Sequence, residues 1–147
     1  MSDCSESPPD PSSSNVERLL AAGFRRTGAW RLVSGAFRLP GLDTLPREPG
    51  VYAYAIDGKI HYVGSAQRGL RARLRHYEIA KTLRTVHRVR QEIMNLLAAG
   101  HEVEVFTFVP KRLYWRGLPV DMVAGLEEGL IRELRPVWNV RGLGGVL

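Results

Sequence analysis

The sequence predicts an α+β fold built on a small antiparallel sheet, and three observations carry that prediction. Two short β-like runs, residues 51–56 and 59–64, flank Asp57-Gly58, a strong hairpin signal. Two stretches with helical periodicity follow, then another β-like run and a last helical stretch. The order hairpin, helix, helix, strand, helix lacks βαβ alternation, which argues against a parallel, doubly wound sheet.

Each element has its own signal. Residues 1–15 are rich in Ser, Pro and Asp with almost no apolar content, so they are expected to form a disordered tail. Residues 16–23 (VERLLAAG) read as a short helix with Asn15 as N-cap and Gly23 as stop. Residues 24–49 are mixed, with Trp30, Leu32, Val33 and Phe37 as apolar anchors. Residues 16–49 are therefore read as an N-terminal extension packed on a main body of residues 50–147. In that body Leu70, Leu74 and Tyr77 place a helix over residues 70–80. Val86, Val89, Ile93, Leu96 and Leu97 place a second over 85–99, with Gly100 as its stop. Residues 102–109 (EVEVFTFV) read as a third strand bounded by Pro110, and a loop with Trp115, Gly117 and Pro119 follows. The last helix covers residues 121–134, and Pro136 ends it.

Composition narrows the function classes. The chain of 147 residues suits one domain with a proper core. No run approaches the roughly 18 apolar residues of a membrane span, and no secretory signal pattern opens the chain, so a cytoplasmic protein without membrane contact is expected. The single cysteine, Cys4, excludes internal disulfides and thiolate metal clusters. Lys and Arg total 21 against 15 acids, giving a net charge of +6. Arg68, Arg71, Arg73, Arg75, Lys81, Arg84, Arg88 and Arg90 crowd one stretch in which Glu78 is the only acid. That density suits a polyanion, although it also describes a solvated basic face.

The hairpin is rich in tyrosine: Tyr52, Tyr54 and Tyr62. A three-residue loop, Ile56-Asp57-Gly58, would set Tyr52 opposite Tyr62 on one face, whereas a two-residue turn would send the two hydroxyls to opposite faces. A shared site therefore requires the longer loop. On the next helix Arg73 and Tyr77, four residues apart, share a face at the edge of the core. On the last helix Glu127 falls on the apolar stripe of Leu130, Ile131 and Leu134. A carboxylate there needs a partner, either a core-edge arginine or a cation. A lone carboxylate suits magnesium when waters and a substrate phosphate complete the shell.

Gly50-Val51-Tyr52, followed by Tyr62-Val63-Gly64, resembles the paired motif of the GIY-YIG nuclease superfamily, with Val for Ile in both halves. The resemblance continues through Arg73, Glu127 and the closing Pro136-Val137-Trp138-Asn139. It implies a three-stranded antiparallel sheet flanked by helices, and a metal-dependent endonuclease acting on DNA phosphodiesters. Tyr52 and Tyr62 would hydrogen-bond the attacking water or the scissile phosphate, and one of them would serve as general base. Arg73 would stabilise phosphate charge, Glu127 would ligate a single divalent ion (Mg2+ or Mn2+), and Asn139 would help shape the site. Tyr77 matches the excision-repair branch, which points to DNA repair, while His87 falls where the homing branch has a histidine. His87 reads equally as a polar residue near a helix start. The interval from Gly64 to Arg73 is one residue longer than the resemblance implies, with Gly69 as the insertion, so Arg71 stays a candidate beside Arg73. Members of this family rely on an attached module for DNA specificity, and a protein partner is the expected source here.

Two other function classes compete. One is a nucleic-acid-binding module of the same fold that does not cut. The other is an interaction domain anchored by Trp30, Trp115 and Trp138.

Overall fold

The computed structural model describes residues 14–79 and 84–142. The expected tail of residues 1–15, Cys4 included, falls outside the described residues but for its last two positions, and Lys81 also lies outside them. Helix α1 (Asn15–Ala21) is capped by Ser14 rather than Asn15. The Ser14 hydroxyl accepts from the Glu17 amide, and the Glu17 carboxylate accepts from the Ser14 amide, which is a complete capping box.

The main sheet has five antiparallel strands, not three. In chain order they are β1 (Arg25–Val33), β2 (Ala36–Arg38), β3 (Gly50–Ile56), β4 (Lys59–Ala66) and β5 (Val103–Phe108). Across the sheet they run β2-β1-β5-β3-β4. The N-terminal extension supplies the two additional strands. β1 pairs with β5 from Arg25↔Thr107 to Trp30↔Val103, so β5 is an interior strand instead of an exposed edge. Sequence reading missed β1 because arginines and a glycine interrupt its alternation: RRTGAWRLV buries Ala29 and Trp30 while Leu32 and Val33 stay exposed.

Helices cover both faces. Leu70, Leu74 and Tyr77 of α2 (Leu70–Ile79) and Val86, Val89 and Ile93 of α3 (Arg84–Ala98) pack with Trp30, Phe37, Tyr52, Tyr54 and Tyr62 on one side. On the other, α1 and α4 (Met122–Leu134) pack with Val51, Ala53, Ala55, Val63 and Phe106. This double coverage explains why every residue of β3 is buried. Asp121 caps α4, its carboxylate accepting from the Ala124 amide. A short helix α5 (Val137–Gly142) follows Pro136 and seats Trp138 in the core. The expected loop before α4 is instead a small hairpin, β6 (Leu113–Trp115) paired with β7 (Leu118–Val120), exposed throughout. Among the described residues no helix is long and apolar enough to cross a membrane.

Candidate active site

The hairpin β3–β4 sets the geometry. Its turn is the two-residue Asp57-Gly58, with φ of 52° and 78°, the doubly positive pattern of a type I′ turn. Ile56 pairs with Lys59 and Ala55 with Ile60. Continued unbroken, that register would split Tyr52 from Tyr62. The register shifts between Tyr54 and Ala55, leaving His61 as the extra residue of a β-bulge, and Tyr54 then faces Tyr62 while Tyr52 faces Gly64. Of the two loops the sequence left open, the structure has the shorter, and the expectation that a shared site requires the three-residue loop is corrected: a short turn plus a bulge serves instead. The tyrosines share a face after all, because an inserted residue restores the parity that the turn removes.

Gly64 is required by this packing. A Cβ there would lie 2.5 Å from Tyr52 Cζ and 2.6 Å from its hydroxyl, so the tyrosine lies directly over the glycine. Tyr77 of α2 crosses above, its hydroxyl 3.1 Å from that of Tyr52. Tyr52, Tyr54, Tyr62 and Tyr77 form one ring cluster with centroid separations of 5.4–6.1 Å.

Helix α2 is held against the strand ends by backbone contacts. Gly69 (φ +116°) allows the chain to pass the Arg47 carbonyl, which would stand 2.3 Å from any Cβ there. The Leu70 and Arg71 amides donate to the carbonyls of Glu48 and Pro46. The Arg71 guanidinium is occupied, donating through Nε and Nη2 to the Leu45 carbonyl at 2.9 and 2.8 Å. Arg73, two residues on, is half-buried, and its charge acts on the Tyr52 hydroxyl.

Glu127 approaches from the other layer. One carboxylate oxygen accepts from the Ser65 hydroxyl at 2.9 Å, just beyond Gly64 on the edge strand β4. Among the described residues it has no ion-pair partner, so the bridging-arginine alternative does not describe it. Its charge is near enough to act on both Tyr52 and Tyr62. The described residues hold no cluster of three or more His, Cys, Asp or Glu side chains, so any cation held here would rest on Glu127 with non-protein oxygens. A half-buried, unpaired carboxylate with a second oxygen available fits that requirement.

The cluster favours neutral phenols. Burial pushes Tyr52 well above its ordinary value of 10.0, Tyr62 adds to this, and the Tyr77 hydroxyl and Arg73 oppose it. Burial likewise raises Tyr77 strongly. Tyr62 is raised less, because the Tyr77 hydroxyl and Arg88 counter its burial and the Glu127 charge.

Asn139 plays a different part. Its side-chain amide accepts from the Val63 amide at 2.8 Å and donates to the Val63 carbonyl at 2.9 Å. It therefore substitutes for a missing neighbour strand on the free edge of β4, in the middle of Tyr62-Val63-Gly64. Of the candidate residues, Tyr52, Tyr62, Arg73, Tyr77, Glu127 and Asn139 gather about this edge. His87 does not: it is exposed on α3 and makes no hydrogen bond, ion pair or ring contact with the cluster.

Two residues escaped the sequence reading. Ser65 follows the glycine of the motif on the opposite strand face, and period-two alternation alone could have turned it toward α4. Arg88 has a buried Nη1 without a hydrogen-bond partner and acts on Tyr62, but nothing separates it in sequence from the other arginines of α3.

No family model matches the chain, and no curated protein matches it. Solved structures do. A mutant of endonuclease II of bacteriophage T4 aligns with a TM-score of 0.69 at 20% identity, over 86% of this chain and 99% of that one. The restriction endonuclease Hpy188I in complex with product DNA aligns with a TM-score of 0.50 at 18% identity, over 84% and 79%. The GIY-YIG N-terminal endonuclease domain of UvrC from Thermotoga maritima, bound to its catalytic magnesium, reaches 29% identity over 67% and 91%, with a TM-score of 0.47. The likeness first read from Gly50-Val51-Tyr52 and Tyr62-Val63-Gly64 holds at the level of the three-dimensional structure: this chain has the fold of the GIY-YIG nuclease superfamily.

Proposed function

We propose that the chain is a divalent-metal-dependent DNA endonuclease whose site comprises Tyr52, Tyr62, Tyr77, Arg73 and Glu127. The observation that supports this most is the unpaired, half-buried Glu127 carboxylate facing a tyrosine cluster across one edge strand. A carboxylate in that setting needs a cation, and hydroxyls beside it suit the oxygens of a phosphate.

The roles follow from the environment of each group. Glu127 would hold a Mg2+ or Mn2+ ion, since the Ser65 hydroxyl engages one of its oxygens and leaves the other available. When bound, such an ion polarises the phosphate and the leaving oxygen. Tyr52 and Tyr77, buried and neutral, donate hydrogen bonds and orient one another. Tyr62 hydrogen-bonds the attacking water or the phosphate, and of the hairpin pair it ionises the more readily, since its phenol is raised less than that of Tyr52 and Arg88 favours its ionised form. Arg73 adds charge stabilisation at the phosphate as the transition state forms. The commitment of Arg71 to the Leu45 carbonyl supports Arg73 in this role. Asn139 keeps the edge strand in place and shapes the site without touching substrate.

The test is magnesium-dependent cleavage of a DNA panel (supercoiled plasmid, branched, flapped and single-stranded), with Glu127→Gln as control. Glutamine keeps the contact to Ser65 and removes the charge. Cleavage by the native chain that disappears in Glu127→Gln is the expected result. Cleavage that persists in the variant overturns the assignment, and salt-sensitive binding without any cutting favours a non-cleaving module.

A further inference from the structure

Among the described residues the hairpin β6–β7 stands apart. All ten residues from Lys111 to Val120 are exposed. Its strands pair as Leu113↔Val120, Tyr114↔Pro119 and Trp115↔Leu118 about the turn Arg116-Gly117. Alternation puts Leu113, Trp115, Leu118 and Val120 on one face, a wholly apolar surface on a ribbon with no core behind it. Trp115 and Leu118, at the tip, are 62% and 60% exposed. The Arg116 guanidinium lies over the Trp115 ring at 5.4 Å. Lys111, Arg112 and Arg116 are the charges of this segment, and it contains no acid.

Such a surface invites a partner, and two features decide which. A second copy would bring like cations together across the contact without a carboxylate between them, whereas a polyanion neutralises them. The ribbon also roots where the candidate active site begins. Asp121, directly after Val120, accepts from Gln67 Nε2 and caps α4, which carries Glu127 six residues on, about 9 Å along the helix. From Arg112 to the turn the ribbon projects about 12 Å, comparable with the depth of about 8.5 Å of a major groove that admits a two-stranded β-ribbon.

We infer that β6–β7 is a DNA-contacting arm. It enters the major groove of duplex DNA beside the scissile phosphate, with Trp115 and Leu118 against the bases and Lys111, Arg112 and Arg116 on the flanking phosphates. This rests on the nuclease reading and adds to it a source of specificity carried within the chain. Phosphate contacts set position, and the apolar tip meets the base edges in the groove.

The test uses tryptophan fluorescence with the Glu127→Gln chain and an uncut duplex. Trp30 and Trp138 are buried, so Trp115 is the tryptophan that reports contact with solvent or DNA. Addition of duplex should quench its emission, and Trp115→Ala should abolish the response and weaken binding about tenfold. Arg116→Ala should lower the salt dependence of binding by about one counterion. Native cutting together with unchanged fluorescence and unchanged affinity in Trp115→Ala overturns the arm alone. A native dimer that Trp115→Ala converts to monomer, with DNA affinity unchanged, assigns the face to a second copy. No binding and no cutting by the native chain overturns the nuclease reading, and this inference with it.

Discussion

The two hairpins β3–β4 and β6–β7 are built alike and used oppositely. Both turn through two residues with positive φ, Asp57-Gly58 and Arg116-Gly117, and both carry aromatic side chains. In β3 every residue is buried, because β4 and β5 flank it and helices cover both faces. In β6 and β7 every residue is exposed, because the strands have only each other. Pairing shapes a ribbon, but neighbouring layers decide whether its aromatics become core. The buried hairpin can thus hold hydroxyls in fixed positions, while the exposed one offers the same residue types to a partner.

That contrast can be broken by mutation. The largest effect should come from Tyr54→Ala, which removes a fully buried ring and should cost about 3–5 kcal/mol in denaturant unfolding. Gly64→Ala comes next. Its methyl collides with Tyr52, so about 1–3 kcal/mol should be lost, and cleavage should fall with it as the Tyr52 hydroxyl moves. A loss of stability with cleavage unchanged would show that Tyr52 is only core.

Titration sharpens the same point. Burial raises Tyr52, Tyr54, Tyr62 and Tyr77 above the ordinary value of 10.0. Below pH 10 these groups are protonated whether the chain is folded or unfolded, and their contribution to stability is constant. Above it the unfolded chain releases protons that the folded chain retains, so stability falls as pH rises. Tyr52→Phe should flatten that fall by about 1.4 kcal/mol per pH unit. A slope equal to that of the native chain would contradict the buried, neutral cluster. The smallest effect belongs to Trp115→Ala, which should change unfolding by no more than about 0.5 kcal/mol. A larger loss would mean that the exposed hairpin packs on something after all.

The same contrast explains what could be read in advance. The helices were legible because their apolar periodicity reports one buried face, and Glu127 was legible because it violates that face. The hairpin β3–β4 was legible as a hairpin, but its register was not: two loop lengths stayed open, and neither included the bulge that lets the shorter turn bring the tyrosines to one face. A bulge at His61 has no local signature in a run of strand-forming residues. β1 and β2 were hidden because their burial comes from β5 and α3, distant in sequence. The role of Asn139 was hidden for a similar reason, since a side-chain amide completing a strand edge depends on where α5 lies. His87 looked like a site residue by spacing, and helical geometry turned the neighbouring Arg88 toward Tyr62 instead.

The most direct test of the account is a single-turnover comparison on supercoiled plasmid with magnesium, native chain against Arg73→Ala, with binding measured in parallel. Arg73 lies beside Tyr52 without serving as core, so its loss isolates chemistry from folding. The account predicts a fall in cleavage of about 10²–10³-fold with affinity nearly unchanged. Cleavage at the native rate in Arg73→Ala would contradict it.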